Sequence, residues 1–283
     1  MSMKKNLFLV AGYDKDGIID DALSHYVKQL SKNGDVILCM DSTCKKSETN
    51  KLKPYVIHVI ATRHGEYDFG SYKRFFQYAC EKDILQNYDC LYLVNDSVFG
   101  PVYDISKLLN RIESLKTDAV GAVVSKHRTH VFMESWFVRL DKKIFASKWF
   151  YDFMNSVQKE RGKADVTIKY EHGLTNLIRN NNCSWTGVRC IRGRFTYNHP
   201  KKLFKSDIPF IKKMSFTRHN GALGGQIKFV LNHSDKNAKN VIIKSANRLY
   251  GKRYIDWFLT YNPFKILYRN FTYVIQKLKH GGI

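Results

Sequence analysis

Short apolar runs alternate with amphipathic segments over the first half of the chain. A fully apolar run predicts a buried strand, and apolar residues spaced three or four apart predict a helix with one buried face. By these rules we predict strands over 7–11, 36–40, 55–61, 89–94, 119–124 and 131–140. Between them we predict helices over 18–30, 72–84 and 103–115. This order is typical of an α/β fold with a mainly parallel central sheet flanked by helices.

The second half of the chain is less regular. We predict a helix over roughly 143–160, then a basic loop, then a helix that starts near Tyr170 and ends at about residue 180. Strands are predicted within 184–199, around Trp185 and Phe195, and a basic amphipathic helix follows Pro263. We therefore divide the chain into one domain over 1–220 and a basic, aromatic-rich helical extension over 221–283.

Positive charge is concentrated in the last third of the chain. The whole chain has 47 Lys and Arg against 25 Asp and Glu, a net charge of +22. Residues 201–283 hold 17 of the cations and 3 of the acids, so they carry +14. Such a surplus favours an anionic partner, which would be nucleic acid, a membrane surface or a phosphorylated substrate. A lysine-rich solvated surface is the alternative.

Composition excludes several classes of protein. Hydrophobic residues make up 44% of the chain, which excludes intrinsic disorder. No apolar run approaches the ~18 residues that span a bilayer, and the run at 7–11 is too short for a signal peptide. The six cysteines form no paired metal-binding motif. We therefore expect a cytoplasmic protein with reduced thiols.

Polar side chains follow four of the predicted strands directly. They are Tyr13, Asp14 and Lys15 after the first strand, Asp41 after the second, Arg63 after the third, and Asn95, Asp96 and Ser97 after the fourth. Ligands of parallel sheets bind in the crevice beyond the carboxyl ends of the strands. The sequence therefore predicts a binding site at this edge.

Asp96 is a candidate metal ligand. A carboxylate at the tip of a central strand could hold a divalent cation that neutralises a diphosphate leaving group. Its neighbours Asn95 and Ser97 are not acidic, and capping of the next turn is the alternative role. His172 and His199 are further candidates as ligands or proton carriers, although a lone histidine is more often structural.

Two more acidic residues lie near predicted helix starts. Asp68 precedes a helix with Lys73 in its first turn, an arrangement that suits anion binding by backbone N–H groups. Without other information we favour a capping role for Asp68 or Ser71. Glu171 could act as a general base on an acceptor hydroxyl, or it could be a surface charge stabilised by the helix dipole.

Six segments with recognisable patterns run in order along the chain. They are Val10–Gly17, Asp68–Lys73, Tyr88–Pro101, Glu134–Phe137, Tyr170–Thr175 and Pro209–Lys212. Together they resemble the rhamnan synthesis protein F family of bacterial glycosyltransferases. The third segment is the most specific, and the resemblance covers about residues 5–215.

The resemblance implies a GT-A-like nucleotide-binding fold and an inverting, single-displacement transfer in which Glu171 takes the acceptor proton. The donor implied is a dTDP-activated deoxysugar, dTDP-L-rhamnose, and the product belongs to a bacterial surface polysaccharide or O-antigen. The donor would be lined by Tyr13, Asp14, Lys15, Asp41, Arg63, Asp68, Lys73, Asn95, Asp96 and Ser97. A divalent cation, Mg²⁺ or Mn²⁺, would be held by Asp96 and His199.

The chain departs from the family pattern in two places. It has Ala119-Val120-Gly121 where family members tend to carry an aromatic-glycine pair, and Met133-Glu134-Ser135 where they tend to carry His-x-Gln-Ser. Both segments would approach the transferred sugar and the acceptor. The resemblance therefore leaves another deoxyhexose or a UDP-sugar open as the donor.

Acceptors of this pathway class are glycans on a polyprenyl diphosphate in the inner membrane. The basic extension would hold the enzyme on the anionic inner face of that membrane. For the apolar stripe after Pro263, packing onto the domain is the alternative.

Two other classes of protein stay open. One is a catalytically inactive scaffold of the same fold, because Asp96 lacks a second acid beside it. The other is a nucleic-acid-binding protein, because the pI is about 9.7 and aromatic residues are frequent. We expect no nucleic-acid partner, since the polar residues cluster at strand ends and no recognition motif is present.

Overall fold

The computed structural model describes residues 4–126, 130–193, 195–218 and 222–279. The chain divides into two compact units. The first unit runs to Asp96 and resumes over Ile105–Gly193, and the second contains Ser97–Asp104 and the chain from Arg194. The sequence-based boundary at residue 220 lies inside the second unit. The docking role of 221–283 stays a prediction.

The strands and helices are as follows. The strands are β1 (Asn6–Gly12), β2 (Asp35–Met40), β3 (His58–Ala61), β4 (Cys90–Asn95), β5 (Val98–Phe99), β6 (Ala119–Lys126), β7 (Val131–Met133), β8 (Phe137–Asp141), β9 (Trp185–Arg192) and β10 (Ile211–Lys212). The helices are α1 (Asp21–Leu30), α2 (Lys46–Asn50), α3 (Tyr67–Glu81), α4 (Ser106–Ser114), α5 (Lys142–Phe145), α6 (Lys148–Asn155), α7 (Lys163–Val166), α8 (Gly173–Asn180), α9 (Phe195–Asn198), α10 (Pro200–Phe204), α11 (Leu223–Asn232), α12 (Lys236–Tyr250), α13 (Lys252–Phe258) and α14 (Pro263–Lys279).

The first unit is built on one sheet with the order β3-β2-β1-β4-β8-β6, and β9 pairs with β6. Strands β3, β2, β1 and β4 are mutually parallel. β8 is antiparallel to both β4 and β6, and β7 is antiparallel to the end of β6. β9 runs parallel to β6. The predicted α/β fold with a mainly parallel central sheet is confirmed.

Helices cover both faces of this sheet because its central strands are apolar on both sides. Every residue of β1 is buried. Leu7 and Leu9 face a cluster that includes Phe69 and Phe75 of α3. Side chains alternate along a strand, and a Cβ at Gly12, on the other face, would lie 3.5 Å from Leu23 of α1.

Several element boundaries differ from the sequence-based predictions. The run predicted over 131–140 is interrupted, because Glu134–Trp136 form a turn between β7 and β8. The helix predicted over 143–160 is two helices, α5 and α6. The strand predicted around Phe195 is wrong, since β9 ends at Arg192 and Phe195 begins α9.

The helix predicted from Tyr170 begins earlier, at Lys163. α7 continues through a π-helical turn, Thr167–His172, directly into α8. This continuous helical segment packs on α3, because the Tyr170 ring lies 5.7 Å from that of Phe69. Glu171 therefore lies within the π-helical turn and not at a helix start.

The second unit combines a two-stranded antiparallel sheet, β5 with β10, and helices α9–α14. Phe216 lies at its centre, with its ring 5.3 Å from Phe99 and 6.2 Å from Phe258. Within the described ranges, no helix is both long and apolar enough to span a bilayer.

Candidate functional site

The carboxyl ends of the parallel strands meet at one edge of the sheet. Gly12 of β1 pairs with Met40 of β2, Met40 pairs with Ala61 of β3, and Ala11 pairs with Asn95 of β4. The carboxyl ends of these four strands therefore share one edge of the sheet. The roles in binding of the residues that follow these ends stay predictions.

Asp41 shapes the loop after β3. Its Oδ1 accepts hydrogen bonds from the backbone N–H groups of His64, at 2.7 Å, and Gly65, at 2.8 Å. Arg63 donates from Nη1 to the Asp41 carbonyl oxygen at 2.9 Å. The Asp41 carboxylate is thus used within the protein to order the backbone after Arg63, and the Asp41 carbonyl oxygen holds the Arg63 side chain.

Arg63 and Tyr13 form an exposed cation–aromatic pair at this edge. The guanidinium carbon of Arg63 lies 4.8 Å from the centre of the Tyr13 ring. The Arg63 side chain is 54% exposed and Tyr13 is 50% exposed. An arginine with free surface suits phosphate oxygens, and an exposed aromatic ring suits a flat base.

Asp14 is buried and closes the loop after β1. Its Oδ1 accepts hydrogen bonds from the N–H groups of Asp16, at 2.9 Å, and Ile18, at 3.1 Å. Ser42 Oγ donates to the Asp14 carbonyl oxygen at 2.7 Å. Lys15 is exposed on the same loop. Asp14 therefore orders the loop on which Tyr13 and Lys15 are carried.

Two of the predicted donor-binding residues have other hydrogen-bond partners. The Lys73 ammonium donates to the Val157 carbonyl oxygen at 2.8 Å, which ties α3 to the end of α6. Ser97 lies in the second unit, where its Oγ accepts a hydrogen bond from Lys212 Nζ at 3.1 Å. A role for either residue in donor binding stays a prediction.

Ser135 connects two carboxylates, Asp68 and Glu171. Its Oγ donates to Asp68 Oδ2 at 3.1 Å, and its backbone N–H donates to Glu171 Oε1 at 2.6 Å. Asn95, at the end of β4, also donates to Asp68 Oδ2, at 2.9 Å. We call Asp68, Asn95, Ser135 and Glu171 the carboxylate cluster.

Asp68 is not the cap of α3, which we had favoured from the sequence. The helix begins one residue earlier, at Tyr67, after Glu66. Asp68 lies in the first turn, and its Oδ2 is taken up by Asn95 and Ser135. Ser71 does not cap the helix either, because its Oγ pairs with His64 Nε2 at 3.0 Å.

Glu134 is a third acid close to the cluster, and it is buried. Its Oε1 accepts a hydrogen bond from Ser125 Oγ at 2.7 Å, and its Oε2 accepts one from the Trp136 indole N–H at 2.8 Å. Tyr72 OH donates to the Ser135 carbonyl oxygen at 3.0 Å. These bonds hold the turn that carries Ser135.

The pKa of Glu171 is raised to about 7. Burial is the main cause, and the negative charges of Asp68 and Glu134 raise it further. The hydrogen bond from the Ser135 backbone N–H lowers the pKa of Glu171. Glu171 therefore exchanges its proton near neutral pH, which is what a general base requires. Its π-helical turn is a feature found frequently at functional sites.

Sequence reasoning identified neither Ser135 of this cluster nor the two residues that support its turn, Glu134 and Tyr72. A signal was present for two of them. Glu134 and Ser135 are an adjacent polar pair inside a mostly apolar extended run, and buried polar side chains require hydrogen-bond partners. Tyr72 occupies an apolar helix position, and nothing in the sequence distinguishes its hydroxyl.

The predicted metal site offers one carboxylate at the end of β4, that of Asp96. Among the described residues, no group of three or more His, Cys, Asp or Glu side chains could hold a metal ion. Asp96 is partly exposed after β4. Magnesium is often held by one or two carboxylates together with substrate phosphates. Asp96 fits that arrangement.

His199 lies in the second unit, at the start of α10. Its ring packs 4.4 Å from that of Phe195, and burial lowers its pKa. The proposed role of His199 as a metal ligand stays a prediction.

Comparison with known proteins identifies the family. The family model described as rhamnan synthesis protein F matches residues 36–274. This match covers most of the chain, including the greater part of the α/β sheet of the first unit. The chain belongs to the rhamnan synthesis protein F family.

One curated relative is the uncharacterized protein y4gN of Sinorhizobium fredii. It is 24% identical over 166 residues, which cover 58% of this chain and 43% of the relative. The chain thus spans less than half the length of that relative.

Two solved structures are similar in part. One is a putative nucleotide-diphospho-sugar transferase from Desulfovibrio desulfuricans, with 15% identity, a TM-score of 0.42, and coverage of 88% of this chain and 99% of that one. The other is the mannosyltransferase Ktr4p of S. cerevisiae in complex with GDP, with 8% identity, a TM-score of 0.36, and coverage of 56% and 62%.

Proposed function

We propose that the protein is a glycosyltransferase in which Glu171 is the general base. The observation that carries this proposal is the carboxylate cluster, where a largely buried carboxyl with a pKa of about 7 lies beside Asp68. A base whose pKa is near the working pH is about half ionised at that pH and basic enough to accept a proton. Family membership supports sugar transfer as the reaction.

The proposed reaction is a single inverting displacement. The acceptor hydroxyl gives its proton to Glu171 while its oxygen bonds to the anomeric carbon of the donor. The bond from that carbon to the diphosphate breaks, and the electron pair leaves with the nucleoside diphosphate. Asp68 favours this step because its negative charge raises the proton affinity of Glu171.

The proposed donor is a nucleoside-diphosphate sugar, dTDP-L-rhamnose, bound along the strand ends. Tyr13 would stack on the base, and Arg63 would pair with the diphosphate. Asp96 would hold Mg²⁺ or Mn²⁺ with the donor phosphates. Such a cation, when bound, neutralises charge that develops on the leaving diphosphate.

The proposed acceptor is a glycan carried on a polyprenyl diphosphate at the inner face of a bacterial inner membrane, for surface polysaccharide or O-antigen synthesis. The +14 of residues 201–283 supports attachment to an anionic surface as a peripheral protein.

The test is the rate of nucleoside diphosphate release and glycan formation by Glu171→Gln. Loss of a general base costs about 10²–10⁴ in rate, and we expect a loss in that range. Glu113→Gln is the matched control, since Glu113 is an exposed acid on α4. Equal rates for Glu171→Gln and Glu113→Gln would contradict the proposal.

The two alternative hypotheses, an inactive scaffold and a nucleic-acid-binding protein, make predictions that differ from those of a glycosyltransferase. A scaffold would release no nucleoside diphosphate from any donor offered. A nucleic-acid-binding protein would bind oligonucleotides with a steep dependence on salt. Transfer of a sugar by the wild-type protein would exclude the scaffold.

A further inference from the structure

The last helix of the second unit turns its apolar stripe to the solvent. Five large apolar side chains of α14 are between 52% and 80% exposed. They are Phe264, Leu267, Tyr268, Phe271 and Val274, which recur at helical spacing. A helix that packs by its apolar face buries such residues. An exposed patch of this kind marks a surface for a partner or a membrane.

Arg269 accounts for this orientation. The residue is only 2% exposed, and its Nη1 donates to the Phe258 carbonyl oxygen at 2.9 Å. Its guanidinium lies 5.1 Å from the ring of Trp257 and 5.1 Å from the ring of Phe258. With 3.6 residues per turn, Arg269 is about 200° around the helix from Phe271. The contact with α13 therefore places the apolar stripe on the opposite, outer side.

The charge of α14 selects the kind of partner. The helix contains Lys265, Arg269, Lys277 and Lys279 and no Asp or Glu. A second copy of the same face would bring like charges together, which is unfavourable. Anionic lipid headgroups complement the lysines, and the acyl region beneath them accepts aromatic and aliphatic side chains.

We propose that α14 lies in the plane of an anionic membrane interface, with the stripe inserted below the headgroups. At 1.5 Å per residue its 17 residues extend for about 25 Å, enough for several headgroups. Arg269 acts as the orienting residue that keeps the stripe facing the lipid. The membrane contact itself does not depend on the proposed function. Only its biological purpose, which is to bring the site to a lipid-linked acceptor, rests on the proposed function.

The test is cosedimentation of the full chain with vesicles of phosphatidylglycerol and phosphatidylcholine in equal parts, and with vesicles of phosphatidylcholine alone. We expect binding to the anionic vesicles that weakens as salt is added. Phe264→Gln with Phe271→Gln should weaken this binding at least about tenfold, because two large apolar groups no longer insert. Lys265→Glu should weaken it as well and reduce its dependence on salt.

The matched control is Met214→Gln with Leu249→Gln. Both residues are exposed apolar residues of the second unit, at 49% and 36%. This control should bind the anionic vesicles like the wild type. Unchanged binding by the Phe264 and Phe271 variant would overturn the proposal. Failure of the wild type to bind the anionic vesicles would also overturn it. A third contradicting result would be a wild-type dimer that these two substitutions convert to monomers without any change in vesicle binding.

Failure of this inference is distinguishable from failure of the proposed function. Vesicle binding needs neither donor nor acceptor, and Glu171→Gln should bind vesicles like the wild type. A protein that binds vesicles but transfers no sugar would contradict the proposed function and leave the proposal for α14 intact. A protein that transfers sugar but does not bind vesicles would contradict only the proposal for α14.

Discussion

Glu171 and Asp68 are the residues on which the proposed chemistry depends. One hydrogen-bonding residue, Ser135, contacts both carboxylates. The negative charge of Asp68 is one cause of the raised pKa of Glu171. The two acids are therefore coupled electrostatically, and a change in one should be measurable on the other.

Asp68→Asn should shift the pH dependence of transfer. Removal of the Asp68 charge removes one of the contributions that raise the pKa of Glu171, so that pKa should fall below its value of about 7. The acidic limb of the rate profile should then move to lower pH. A profile of kcat/KM against pH measures this shift, and Glu113→Gln should not change it. A limb that stays in place, or that moves to higher pH, would contradict the coupling.

Glu171 should also make folding stability depend on pH. Its pKa is about 7 in the folded protein against an ordinary value of 4.5. As the pH rises from 4.5 to 7, the unfolded chain releases this proton before the folded protein does, so the contribution of Glu171 to stability is progressively lost.

Glu171→Gln has no such ionisation. The free energy of unfolding of the wild type, minus that of the variant, should therefore fall between pH 4.5 and 7 and level off above this window. The slope should be at most about 1.4 kcal/mol per pH unit. Urea unfolding at several pH values measures this difference. A constant or rising difference over this range would show that Glu171 is not buried in its neutral form.

At the scale of single elements, three of the parallel strands were predictable and the turns that carry the cluster were not. β1, β2 and β4 are continuous apolar runs bounded by polar residues, so their positions and their polar ends follow from hydrophobicity. The turn at Glu134–Trp136 is marked in the sequence only by the polar pair Glu134-Ser135, and such a pair does not by itself distinguish a turn from a continuous strand.

The start of the helical segment that carries Glu171 was missed although a signal existed. Val166, Tyr170, Leu174 and Ile178 are spaced four apart and all are buried. The lysines and acids between these residues made the segment resemble a polar loop. The π-helical turn between Thr167 and His172 has no recognisable sequence pattern. For α14, amphipathicity predicted the helix correctly. It could not predict that Arg269 turns the apolar face outward, because that depends on the carbonyl of Phe258.

The loop after β3 yields a prediction about donor affinity. Asp41 fixes Arg63 at the strand edge beside Tyr13. A hydrogen bond between charged groups contributes about 1.5–3 kcal/mol. Arg63→Ala should therefore weaken binding of the nucleoside diphosphate by roughly 10- to 100-fold.

Isothermal titration with dTDP, UDP and GDP measures this effect and identifies the nucleotide. Arg111→Ala, an exposed arginine on α4, is the matched control and should bind like the wild type. Equal affinities for the Arg63 and Arg111 variants would remove Arg63 from the donor site.

At the scale of the whole molecule, two compact units have different compositions and separate proposed tasks. The first unit holds the eight-stranded sheet, the strand-end residues other than Ser97, and the carboxylate cluster. The second unit contains α14 and most of the surplus positive charge. Chemistry would belong to the first unit, and attachment to an anionic surface would belong to the second.

The most direct test of the central claim is the pH dependence of kcat/KM for sugar transfer by the wild type and by Glu171→Gln. This parameter reports the ionisation of essential groups in the free enzyme. For the wild type, we expect kcat/KM to rise about tenfold per pH unit on the acidic side and to level off above a pKa of about 7. For Glu171→Gln, we expect a low kcat/KM without this acidic limb. A limb of the same position and size in both proteins would contradict the assignment of Glu171 as the base.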